Sequence, residues 1–119
     1  MNKIQTLLTT IATLFGISGS GVANFNDGWV AAKKGDYTTA FNAWKPLAEQ
    51  GNKYAQYNLA QMYHNGDGVL KDDKKAIKWY LKAADQGHAI AQFNLGVMYE
   101  NDQGVLRDDQ EAVKWYLKA

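Results

Sequence analysis

Residues 64–73, HNGDGVLKDD, gather two glycines and three aspartates into ten positions. Such a composition suits a cation-binding loop or a phosphate cradle, and neither template fits. An EF-hand loop starting at Asn65 needs side-chain oxygens at positions 65, 67 and 69, but position 69 is Val69. Its sixth position is not glycine, and the glutamate required at its twelfth is Ala76. The similar stretch ENDQGVLRDD, residues 100–109, fails the same test, and no G-x-x-x-x-G-K-[ST] run occurs in the chain. A turn accounts for the residues better. Gly68 and Gly104 then supply a positive φ, Val69 and Val105 tuck into the core, and Asp72 or Asp73 (Asp108 or Asp109 in the second stretch) caps the following helix.

Other chemistry is scarce. There is no cysteine, which excludes disulfides, thiolate zinc sites and a thiol nucleophile. The chain's serines, Ser18 and Ser20, both lie in the first 23 residues. Beyond them Thr38 and Thr39 are the hydroxyl candidates apart from tyrosines; they begin a predicted helix, with no histidine beside them. His64 and His88 are 24 positions apart and lack an i+3 or i+4 partner, so they form no metal-ligand spacing. No catalytic, metal or cofactor site is expected. Thirteen basic against twelve acidic residues leave almost no net field, which argues against nucleic acid as a partner.

Residues 1–23, MNKIQTLLTTIATLFGISGSGVA, run from Lys3 through an acid-free apolar stretch to small residues. That is the layout of a secretory signal peptide cut after Ala23, and it implies a periplasmic or secreted protein. The segment is too short and threonine-rich for a stable membrane span. Ile4, Leu7, Leu8, Ile11, Leu14 and Phe15 also share one helical face, so a retained packing helix is the alternative.

The rest of the chain repeats. At a fixed offset of 36, 19 of the 31 residues of 53–83 are identical to those of 89–119, a match that chance does not supply. A fainter earlier copy places Asp36, Ala40 and Trp44 one step before Asp72, Ala76 and Tyr80. Each unit reads as two helices. Ala55, Leu59, Met62 and Tyr63 form one apolar stripe, and Ala76, Ile77, Tyr80, Ala83 and Ala84 form the other. Gly51 and Gly87 fall where a left-handed C-terminal cap belongs, and Pro46 predicts a kink or break in the second helix of the first unit.

This pattern resembles the Sel1-like repeats, relatives of the tetratricopeptide repeats, whose form is roughly A-x-x-x-L-G-x-x-Y-x-x-G-x-G-V-x-x-D-x-x-K-A-x-x-W-Y-x-K-A-A-x-Q-G. Residues 55–87 follow it with Ala60 in place of the first glycine, and 91–119 follow it with Asp102 in place of the first loop glycine. Residues 24–51 match the second helix and a shortened first one. The resemblance implies an all-α fold: an αα-superhelix, or solenoid, of about two and a half helix-turn-helix repeats, roughly 24–51, 53–87 and 89–119, the first short and the last truncated. It also implies a concave face, lined by first helices, that takes a protein or peptide partner. On that face it places Tyr54, Tyr57, Asn58 and Gln61, then Ile90, Phe93, Asn94 and Val97. Asn58 and Asn94 either serve a partner's backbone, as an amide can, or hydrogen-bond within the array. The alternative that the resemblance implies is a secreted enzyme of the cysteine-rich Sel1-like type that acts on or binds β-lactam compounds; this chain departs from that type in lacking every cysteine and, past residue 23, every serine. The pattern stops at Ala119 within a second helix, so Trp115 and Tyr116 are expected near an open end, where either further repeats once followed or a partner or a second copy docks.

Overall fold

The computed structural model describes residues 23–119. Apart from Ala23, the expected leader lies outside the described residues. Among the described residues there are six helices: α1 (Phe25–Lys33), α2 (Tyr37–Glu49), α3 (Lys53–Asn65), α4 (Asp73–Asp85), α5 (Ala89–Glu100) and α6 (Asp109–Lys118). The main packing contacts join helices that are consecutive in the chain, as in a solenoid. The chain is an all-α repeat array.

Local chemistry sets the helix boundaries. Every helix is N-capped by a side chain: Asn24, Asp36, Asn52, Asp72, His88 and Asp108 each accept from a backbone N–H in the first turn. The choice left open at the two aspartate pairs is therefore settled. Asp72 and Asp108 cap, while Asp73 pairs with His64 at 2.9 Å and Asp109 with Arg107 at 3.1 Å.

Both apolar stripes are buried as expected, together with Trp79, and Val69 and Val105 pack half-buried against the core. Gly68 and Gly104 take φ of 72° and 74°. They do more than turn the chain. A β-carbon on Gly68 would lie 2.7 Å from the backbone of Tyr37, and one on Gly104 would lie 2.5 Å from that of Asp73. Each loop thus presses on the start of the preceding repeat's second helix. Asp102, which stands where the previous repeat has Gly66, takes a left-handed φ of 57° and accepts a hydrogen bond from the Arg107 N–H at 3.1 Å.

Of the kink or break expected at Pro46, the break is absent: α2 runs as one helix through it. Proline deprives the Asn42 carbonyl of its partner, but Asn42 and Pro46 are both exposed, so water replaces that bond. In the last helix Trp115 is buried, with the Lys118 ammonium 4.7 Å from its ring, Tyr116 is half-buried, and Val113 and Leu117 are the exposed apolar groups.

Candidate functional site

The first helices α1 and α3 and the start of α5 enclose an open cleft of about 480 Å³. Its walls are aromatic and apolar: Phe25 and Trp29 from α1, Tyr54 and Tyr57 from α3, Ile90 from α5. Asn26, Asn58 and Gln61 add amides, and His88 closes one side. Of the eight residues expected on this face, the cleft gathers Tyr54, Tyr57, Asn58, Gln61 and Ile90. Asn94 and Val97 line a smaller neighbouring cleft of about 130 Å³, to which Gln61 also belongs. Phe93 lies outside both, half exposed, with its ring 5.5 Å from that of Tyr116.

The two recurring asparagines part company. Asn94 lines the smaller cleft together with Tyr80, whose ionisation burial pushes far up. Asn58 lines the main cleft and a second one beside it.

Most of the cleft wall is held by identifiable contacts. Gln61 donates to the Tyr57 hydroxyl, and burial, outweighing that bond, raises the Tyr57 pKa. The Tyr57 ring stacks on the His88 imidazole at 4.5 Å. His88 accepts the Ala91 N–H through Nδ1 at 3.2 Å, which places its proton on Nε2. Burial, and then the charge of Lys53, lower its pKa. The repeats are fastened below the cleft by two glutamines that the repeat alignment did not single out. Gln56 donates to the Ala48 carbonyl at 3.1 Å and Gln92 to the Ala84 carbonyl at 3.0 Å. Both are buried, so each contributes a satisfied bond whose loss would strand a polar group.

Phe25, Asn26 and Trp29 were missed at the level of sequence because the first repeat has a shorter loop. Its helix aligns at a step of 32, not 36. At that step Phe25-Asn26 falls on Tyr57-Asn58, which the 36 step carries on to Phe93-Asn94. The signal was an aromatic–asparagine pair recurring three times.

His64 and His88 line different clefts, and among the described residues no three His, Asp or Glu side chains gather as for a metal ion. None of the described helices is long and apolar enough to cross a membrane.

A solenoid of paired helices with an aromatic, amide-lined cleft across its first helices belongs to the αα-repeat scaffolds. The family model described as Sel1 repeat matches residues 53–88 and 89–119, and the chain belongs to that family. It is similar in structure to a Sel1 repeat protein from Oxalobacter formigenes, with 42% identity and a TM-score of 0.76 over 80% of this chain and 39% of that one. A protective antigen of uropathogenic Escherichia coli with an SLR fold is similar at 36% identity and a TM-score of 0.71, over 75% of this chain and 20% of that one. Among curated relatives, an exopolysaccharide production negative regulator of Rhizobium leguminosarum bv. viciae is 41% identical over 56 residues, or 47% of this chain and 21% of that protein. DAP3-binding cell death enhancer 1 of Mus musculus is 36% identical over 74 residues, or 62% of this chain and 14% of that protein. The chain thus spans about a quarter or less of the curated relatives it matches. Proteins of this family are generally interaction adaptors.

Proposed function

We propose that this chain is a non-catalytic adaptor module that holds an extended segment of a protein partner in the cleft across α1, α3 and the start of α5. The observation that carries the reading is the lining: aromatic rings beside the amides of Asn26 and Asn58, at about 480 Å³. Aromatic walls give contact area at little entropic cost, and Asn26 and Asn58 can donate to and accept from a peptide backbone together. Ile90, Phe93, Asn94 and Val97 extend the same face towards the third repeat.

We also propose export, with removal of the leader after Ala23. Two features support it: the acid-free start, and the position of Asn24. Asn24 forms a capping box with Asp27, so cleavage there would leave the first residue of the folded array at the new terminus. The intact mass of protein recovered from the periplasmic fraction tests this part; retention of residues 1–23 would refute it.

The binding reading is tested by affinity capture from that fraction with the wild type and with Tyr54→Ala/Asn58→Ala. Tyr54 is exposed and Asn58 half-buried, so the variant keeps its fold, as circular dichroism will report. Partners retained by the wild type and lost by the variant are the expected result. Equal capture by both would remove the cleft from consideration.

A further inference from the structure

The second helices build a different groove, of about 350 Å³, between α2 and α4. Lys45 and Glu49 form one wall and Lys75, Lys78 and Lys82 the other, with Tyr63 and Trp79 as the floor. Four lysines against one glutamate give a local charge of +3 in a chain that is otherwise close to neutral. None of the four lysines is among the ion pairs of the described residues. Each ammonium rests instead beside a ring. Lys45 lies 5.6 Å from Phe41, Lys75 5.4 Å from Tyr63, and Lys78 and Lys82 are 5.4 and 5.7 Å from Trp79. The aromatic floor fixes the stems and leaves the charges facing outward.

The equivalent positions one repeat further on, between α4 and α6, supply an internal control. One step of 36 residues carries the floor over intact, from Tyr63 to Tyr99 and from Trp79 to Trp115. The walls do not carry over: Lys45 becomes Leu81, Glu49 becomes Asp85 and Lys75 becomes Glu111, while Lys78 and Lys82 recur as Lys114 and Lys118. Two lysines against two carboxylates leave zero, and Lys114 pairs with Glu111 at 2.9 Å. Packing needs the rings, and both grooves keep them. It does not need the excess charge, which one groove has and the other lacks.

We infer that the α2–α4 groove is a second docking site, for an acidic segment (Asp- or Glu-rich) of a protein partner. Three features select this occupant. A cleft between two helices receives a chain, whereas a bilayer meets a flat face. None of the exposed large hydrophobic residues lines this groove, so it lacks the apolar anchors of a membrane surface. Trp79 and Tyr63 are buried beneath their lysines, so no open ring is offered to a nucleotide base. Lysine ammoniums suit single carboxylates, as point charges without a planar fork.

The test is fluorescence anisotropy of the full chain with a short fluorescein-labelled peptide alternating glutamate and glycine, beside a glutamine–glycine peptide of equal length. Saturable binding of the acidic peptide alone is expected at about 20 mM salt, weakened by an order of magnitude or more at about 300 mM. Lys75→Gln/Lys78→Gln should weaken it about tenfold, Lys114→Gln/Lys118→Gln should leave it unchanged, and Glu49→Gln should tighten it about two- to threefold. Equal binding by Lys75→Gln/Lys78→Gln, or equal binding of both peptides, overturns the proposal. So does failure to bind the acidic peptide at low salt. Sedimentation with phosphatidylserine vesicles or binding of a single-stranded oligonucleotide that is lost in Lys75→Gln/Lys78→Gln and that the acidic peptide cannot displace even in large excess would reassign the groove and overturn it as well.

Discussion

The second helix pair (α3 and α4) and the third (α5 and α6) are near copies that differ where it matters for binding. What they share is frame. Gly68 and Gly104 press on the second helix of the preceding repeat, Asp72 and Asp108 cap, Gln56 and Gln92 clasp, and Trp79 and Trp115 fill. Several of the positions they do not share lie at the surface: Lys75 against Glu111, Gln61 against Val97, His64 against Glu100. In a repeat array, identity between copies marks packing, and divergence marks the surface on which individual binding properties are written.

The largest effect is expected from breaking the shared frame. Gly68→Ala forces a β-carbon against the Tyr37 backbone at a φ of 72°, where neither can yield cheaply. A loss of about 2–4 kcal/mol is expected in urea unfolding. Gly51→Ala, at a φ of 102° but with open space around it, should cost only about 1 kcal/mol. If the two variants lost the same amount, the close approach of loop to helix would carry no energy.

The next effect is a gain. Asp85→Asn/Glu111→Lys brings the α4–α6 groove from zero to +3 over an unchanged floor of Tyr99 and Trp115. Under the acidic-segment proposal this variant should bind a second equivalent of the glutamate–glycine peptide, with affinity within about tenfold of the first site. A stoichiometry that stayed at one would show that charge alone does not make the groove. Smaller again is the cap: Asp72→Ala should cost about 1 kcal/mol of stability, by removing the acceptor for the Lys75 N–H at 3.1 Å.

Much of this frame was legible from residue types alone, because periodicity and caps are local. The stripe Ala55, Leu59, Met62, Tyr63 is buried as its spacing requires, and the aspartate-rich loop is a connector. The half of the cleft formed by Phe25, Asn26 and Trp29 was not legible at a fixed step, since a loop four residues shorter shifts the register from 36 to 32. The basic groove was hidden for another reason. Lys45 stands 30 residues before Lys75, on another helix, and only the stacking of α2, α3 and α4 brings the two to one groove. Pro46 misled because its consequence depends on which face of the helix it occupies, a property of packing rather than of sequence.

The smallest effect concerns the cap at which the two copies differ, Asn52 against His88. Asn52 accepts from the N–H groups of Tyr54 and Ala55 at any ordinary pH, whereas His88 accepts from Ala91 only while Nδ1 is unprotonated. A proton on Nδ1 would remove the acceptor and set a positive charge at the positive end of α5, with Lys53 close by and the rings of Tyr54 and Tyr57 against it. Burial and Lys53 hold the folded pKa below the ordinary value, so the unfolded chain takes up this proton first. The stability contributed by the neutral cap is therefore complete above about pH 6.5 and is lost as pH falls below it, towards the lower folded value. His88→Asn supplies the cap that the previous repeat uses and removes that titration. Urea midpoints at about pH 8 and pH 5.5 should fall together less for this variant than for the wild type, with the two proteins nearly equal at the higher pH. Acid sensitivity that persisted unchanged in His88→Asn would show that the neutral His88 cap carries no pH-dependent stability, and would leave the two caps equivalent in function as well as in place.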